Sequence, residues 1–204
     1  SDPDHRLTLE KLRAACREGM LRQGDVGLLP EHELFTRAAG RTPWEVAIDL
    51  KSNPLPELLA AADLANQRDP ASLPALRALL HHQDAALRWW GLIGLLALEE
   101  KSRPEVTTVQ ARYADESPSV RVAAAEVGLR FGGDDKALSV LTAALRHDSA
   151  LVRLAALNAL DRSGPRALPA LDAIRSAKME DKENPDVANY VARMADYLPA
   201  RLKR

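Results

Sequence analysis

The chain has 204 residues, a net charge of −1 and 46% hydrophobic residues, of which very few are aromatic (4% of the chain). A charge this near zero provides no global field to recruit nucleic acid or an anionic membrane. The single cysteine, Cys16, excludes an internal disulfide framework and a CxxC metal site, and no apolar run approaches the ~20 residues that span a bilayer. With so few aromatics the core must be Leu, Ala and Val, the composition of close-packed helix pairs.

The chain opens SDPDHR, with neither an initiator Met nor a signal peptide, and reads as a piece of something longer. Asp4–Gln23 carries Leu7, Leu9, Leu12, Ala15, Cys16, Met20 and Leu21 at helical spacing, which predicts an amphipathic helix with Cys16 as buried filler. Gly24-Asp25 ends it. Pro30 opens a second helix over Glu31–Ala39, whose early acids suit a helix N-terminus. Thr42-Pro43 starts a short one over Pro43–Leu50, and Leu55–Gln67 follows. Residues 1–70 therefore form an N-terminal helical segment.

From residue 71 to 204 the pattern becomes periodic. Predicted helix pairs are Ser72–His82 with Ala85–Leu98, Arg103–Ala114 with Pro118–Arg130, Asp135–His147 with Ala150–Asp161, and Arg166–Met179 with Pro185–Leu198. The basic tail, Pro199–Arg204, is expected to fray. Three stretches repeat a polar turn, a hydrophobic residue plus Arg, and a small-residue helix: QDAALRWWGLIGLLAL, ESPSVRVAAAEVGL and DSALVRLAALNAL. Their arginines, Arg88, Arg121 and Arg153, lie 33 and 32 residues apart, and NPDVANYVARMADYL is a degenerate fourth copy. A fixed period in this range marks stacked helix pairs.

Asp115, Pro118, Val120 and Arg121, followed by A-A-x-x-x-L, resemble the HEAT repeat motif. The resemblance implies an all-α fold of antiparallel helix pairs in a curved α-solenoid, with residues 1–70 as an N-terminal cap. It also implies that Arg88, Arg121 and Arg153 join an inter-repeat ladder with acids such as Asp84, Asp115 and Asp148. A narrower resemblance covers nearly the whole chain. HRLTLEKLRAACREGMLRQGDVGLLPEHEL, TPWEVA, PLPELLAAADLANQRDPASLPAL and LRWWGLIGLLAL are similar to the C-terminal extension of bacterial sulfatases. The sulfatase C/S-x-P-x-R motif is absent, because Cys16 is followed by Arg17-Glu18-Gly19-Met20. The resemblance thus implies that catalytic residues lie upstream of this chain, and it favours a periplasmic or secreted location.

Several residues invite sharper readings. His81-His82 and His147 resemble metal ligands, but adjacent helix positions point apart. His82 and His147 sit instead where a cation suits a helix C-terminus. Trp89 and Trp90 align with core positions, Trp90 with Ala123 and Ala155, and are read as packed; bulky replacements at either alanine should destabilise. Thr107-Thr108, Ser117 and Ser119 are turn or surface hydroxyls, and Lys178–Lys182 is a solvated loop. No phosphate loop, nucleophile elbow or HExxH occurs.

The expectation is a non-catalytic interaction domain with no cofactor and no metal. Its partner is protein, either its own catalytic domain or another subunit, and neither nucleic acid nor membrane. Weak binding of a sulfated polymer is the further option. The alternatives are a free-standing adaptor and an enzyme of the phycobilin-lyase type, a family also built from HEAT-like repeats. Second helices line the inner side of such arrays, and positions five and nine after each repeat Arg should face outward from the core there. Those columns place Glu126, Arg130, Asn158, Arg162 and Arg193 on the binding face, with the three arginines along one line.

Overall fold

The computed structural model describes residues 3–203, and all regular secondary structure among them is helical. Helix α1 (Arg6–Gln23) ends at Gly24, which takes the left-handed conformation (φ 68°). A Cβ there would lie 2.6 Å from the Ala47 carbonyl oxygen, so glycine is needed on both counts. Helices α2 (Glu31–Ala38), α3 (Pro43–Ala47) and α4 (Leu55–Asn66) follow. Thr42 and Glu45 cap α3 reciprocally: the Glu45 N–H donates to Thr42 Oγ1 (3.3 Å) and the Thr42 N–H to Glu45 Oε2 (2.7 Å).

No residue of α1 is buried, and Cys16 is exposed, contrary to the filler role expected for it. The spacing is amphipathic, but Leu7, Leu9, Leu12 and Leu21 stay exposed, and α1 is tied to α4 by the Arg17–Asp63 ion pair.

The periodic part contains the predicted pairs: α5 (Leu73–Leu79) with α6 (Ala85–Ala97), α7 (Val106–Gln110) with α8 (Pro118–Val127), α9 (Asp135–Ala144) with α10 (Ala150–Ser163), and α11 (Leu171–Arg175) with α12 (Pro185–Arg201). All four first helices are shorter than predicted, α7 and α11 most of all. Tighter 3-10 turns over Glu99–Glu105 and Gly164–Ala170 contain Pro104 and Pro169, which lack the N–H an α-helix requires. Helices α6 and α8 begin at side-chain caps. Asp84 accepts from the N–H of Ala86 (2.7 Å), and Ser117 from that of Val120 (3.3 Å). Helix α12 continues through Pro199 rather than fraying, because Leu198 and Leu202 are buried and Arg201 pairs with Asp161 (3.3 Å). Arg204 of the predicted tail, like Ser1 and Asp2, lies outside the described residues.

Helices α6, α8, α10 and α12 pack side by side in chain order. Their contacts use small residues, among them Ala123, Ala124, Ala156 and Ala159, with Leu92, Leu95, Leu157 and Leu160 between them, all buried. Complete burial contributes roughly 1.5–3 kcal/mol per leucine. Gly94 admits Leu76 and Gly128 admits Tyr113, since a Cβ at either would overlap those side chains. The Tyr113 hydroxyl can therefore reach Asp134 (2.9 Å).

The N-terminal segment is joined to the first pair through one core cluster that unites Leu29, Ala38, Val46, Leu58 and Ala61 with Ala86 and Leu87. Within it, α4 lies along α6, while α2 crosses to α8 and α10.

Candidate functional site

The turns before the second helices share one construction. The residue six before each repeat Arg accepts the N–H two positions on. His82 Nδ1 takes that of Asp84 (3.0 Å), Asp115 Oδ1 that of Ser117 (3.0 Å) and His147 Nδ1 that of Ser149 (3.1 Å). The Arg then closes the turn through Nη1, which donates to the carbonyls six and five residues back. Arg88 bonds His82 (2.9 Å) and Gln83 (2.7 Å), Arg121 bonds Asp115 (2.7 Å) and Glu116 (3.1 Å), and Arg153 bonds His147 and Asp148. Both histidines thus accept a backbone N–H within the turn, a role the sequence reading did not give them. Burial holds His147 below its ordinary value, and His32, 5.5 Å away edge to face, and Arg121 add to this.

Beyond its own turn each Arg differs. Arg88 forms a two-pronged pair with the Asp115 carboxylate of the next turn (2.9 and 2.8 Å) and touches Glu116 (3.1 Å). Burial raises the Asp115 carboxyl, but the Arg88 guanidinium and the Ser117 N–H outweigh it and hold the group below its usual range. Arg153 is completely buried and reaches the next turn through the Glu180 carbonyl (2.8 Å), with the Asp181 charge nearby. Arg121 reaches no acid: Asp148, the matching residue, pairs with Lys178 (2.7 Å). Asp84 takes a two-pronged bond from Arg37 on α2 (3.0 and 2.8 Å). The row of joints is therefore Arg37–Asp84, Arg88–Asp115 and Arg153–Glu180, with Arg121 bonded within its own turn.

The face assigned to binding is arranged differently from the expectation. Glu126 is 2% exposed rather than outward-facing. It accepts from Arg130 (3.1 Å) and from Arg162 on the next second helix (2.7 and 2.6 Å). The bond to Glu126, opposed by burial, raises the Arg162 guanidinium further above its ordinary value. Arg130 and Arg162 are thus gathered onto one carboxylate and do not form a free cationic line. Arg193 sits over the Tyr190 ring (5.7 Å) on α12, apart from them.

Glu126, Asn158 and Arg162 do line one groove, together with Ile93, Trp89, Val122, Leu154 and Ala155. It holds about 330 Å³, and its opposite wall is the N-terminal stretch Leu29–His32. That stretch and α2 form a strap across three successive turns. Arg37 meets Asp84, Glu33 receives the Ser117 hydroxyl, and His32 meets His147. The indole N–H of Trp90 fixes the strap's start by donating to the Leu28 carbonyl (2.9 Å). Both Trp89 and Trp90 are half-buried, so neither is plain core.

A model of the family described as HEAT repeats matches residues 106–195. The match supports a HEAT-repeat domain over these residues. No curated protein and no solved structure matches the chain. The matched HEAT stretch runs from α7 into α12 and contains the Arg121 and Arg153 turns together with the Glu126 cluster. HEAT repeats commonly mediate protein interactions. No helix among the described residues is long and apolar enough to cross a membrane, and no group of three or more His, Cys, Asp or Glu among them could hold a metal ion.

Four contributors were missed from sequence. Arg37, Glu33 and Trp90 act through strap contacts that share no period with the repeats. Asp181, read as part of a solvated loop, accepts the N–H of Ala150 (2.6 Å) at the start of α10. Its signal was available: Asp115 lies 27 residues after Arg88, and Asp181 lies 28 after Arg153.

Proposed function

We propose that this chain is a non-catalytic interaction scaffold whose stacked HEAT pairs curve so that the second helices and the strap present one groove to a partner protein. The observation that carries this reading is the groove itself. Its floor is apolar, Glu126 and Arg162 in its lining pair with each other, and no Ser or Cys in the lining bonds a base among the described residues. A photo-crosslinking amino acid at Ile93, in the groove, should give a protein adduct in cells. The same residue at Ser139, exposed on α9, should not. No adduct from Ile93, or equal adducts from both, would overturn the reading.

The finer reading is that the partner is the catalytic domain of a sulfatase. It is supported by the sequence resemblance and by the exposed apolar side chains of the stretch that carries it, Leu7, Leu12, Trp44 and Ile48. Two tests apply. The reading frame upstream should contain a C-x-P-x-R motif, and the chain alone should not turn over an aryl sulfate with or without calcium. Turnover abolished by Cys16→Ser would reverse the assignment.

A further inference from the structure

We infer that the groove between the strap and the second helices takes an extended segment of the partner carrying one or two apolar side chains followed by a carboxylate. This rests on the protein-binding reading above and gives it a chemistry. The volume of about 330 Å³ accommodates a few side chains, whereas a helix is about 10 Å across and the strap closes one side. The floor of Ile93, Val122, Leu154 and Ala155 selects apolar groups.

Charge sets the direction of the segment. At one end the guanidinium groups of Arg130, Arg162 and Arg201 face the two carboxylates of Glu126 and Asp161, which leaves one positive charge in excess there. The Arg162 side chain remains 52% exposed and can accept a second carboxylate in the two-pronged geometry guanidinium favours. The strap wall presents Glu31, an exposed acid, and His32, which burial holds below its ordinary value. An acidic group in the segment is therefore drawn to Arg162 and repelled from Glu31. Between them the half-buried Asn158 amide makes no side-chain hydrogen bond among the described residues and offers both a donor and an acceptor to a passing backbone.

The test uses the purified full chain and three fluorescein-labelled peptides of otherwise equal sequence, carrying Leu-Ala-Leu-Asp-Asp, Leu-Ala-Leu-Lys-Lys or Ser-Ala-Ser-Asp-Asp, titrated by anisotropy. The first should bind at least tenfold tighter than the other two, with a margin over the lysine peptide that shrinks as salt is added. Arg162→Glu should reverse the preference between aspartate and lysine, and Ala155→Trp should remove binding by filling the groove. If Ala155→Trp fails to fold, Ile93→Trp fills the groove from the α6 side. Equal binding of the lysine peptide, a preference that survives Arg162→Glu in a variant with a parental melt, or no binding of the first peptide would overturn the inference. If any of these is found while Ile93 still crosslinks a partner, the groove binds protein by another chemistry; loss of both signals removes the interaction reading as well.

Discussion

Between Pro3 and Arg68 the chain leaves Leu7, Trp44 and Leu50 at 73%, 64% and 71% exposure. Between Leu73 and Leu202 two tyrosines, Tyr190 and Tyr197, reach 55% and 54%, while the most exposed aliphatic side chains, Leu168 and Met179, reach 38%. Both regions are helical and both carry apolar stripes. In the repeats the period supplies every second helix with neighbours: α8 lies between α6 and α10, and α10 between α8 and α12. The N-terminal helices have no such guarantee. Helix α4 finds α6, and α2 finds the caps of three turns, but α1 has only the edge of α4. A stripe at helical spacing records that a helix wants a partner; only repetition ensures that the partner is in the same chain.

The sharpest test of this contrast is at the joints of the repeats. Arg88→Met strips the buried Asp115 of its two-pronged partner and leaves it only the longer Arg112 bond (3.3 Å) and the Ser117 N–H, and should cost about 3 kcal/mol in urea unfolding. Arg121→Met breaks only bonds to two carbonyls of its own turn from a half-buried side chain, and should cost about 1 kcal/mol. The double change Arg88→Met with Asp115→Leu should recover most of the larger loss. Equal effects from the two single changes would show that the Arg88–Asp115 joint is no stronger than an isolated turn.

The small-residue contacts come next. Ala123 is buried between second helices, so Ala123→Phe must separate them and should cost about 1–3 kcal/mol. Both alanines line the groove, but Ala155, assigned to the same buried seam from sequence, is only half-buried. Ala155→Phe should therefore lower the thermal midpoint less than half as much.

A smaller effect concerns acid. Burial, above all, holds both His32 and His147 below the usual 6.5, and they face each other between strap and array. Arg121 and Arg153 oppose protonation there, while Glu33 and Asp148 favour it. A folded value below the unfolded one means that the unfolded chain binds more protons. Stability should thus be complete above about pH 6.5 and fall as pH drops through the lowered values. His147→Asn keeps an acceptor for the Ser149 N–H without titrating, and should flatten that limb of a pH series of melts. A parallel loss in the variant would show that the pair is not responsible.

The smallest effect is expected outside the period. Removing residues 1–22 deletes a helix with no buried residue and should shift stability by less than about 0.5 kcal/mol. A loss above 2 kcal/mol would show that α1 packs in solution.

What the sequence determined by itself is the periodic part. The spacing of Arg88, Arg121 and Arg153 located the second helices, because the same turn must be rebuilt each time a helix pair is added, and its closing Arg is visible at every copy. The pairs themselves were legible from Pro118, Pro185 and the small residues that let helices approach. Facing was less so. Glu126 was placed on the surface by counting from Arg121, yet it is buried, because its environment is set by Arg162 on another helix 36 residues away. The histidine turn positions were legible as helix ends but not as acceptors, since the same residue can cap with a proton or without one. The strap was beyond sequence altogether. Arg37 meeting Asp84 and Glu33 meeting Ser117 depend on where a non-repeating segment crosses the array, and long-range contacts of that kind leave no period to read.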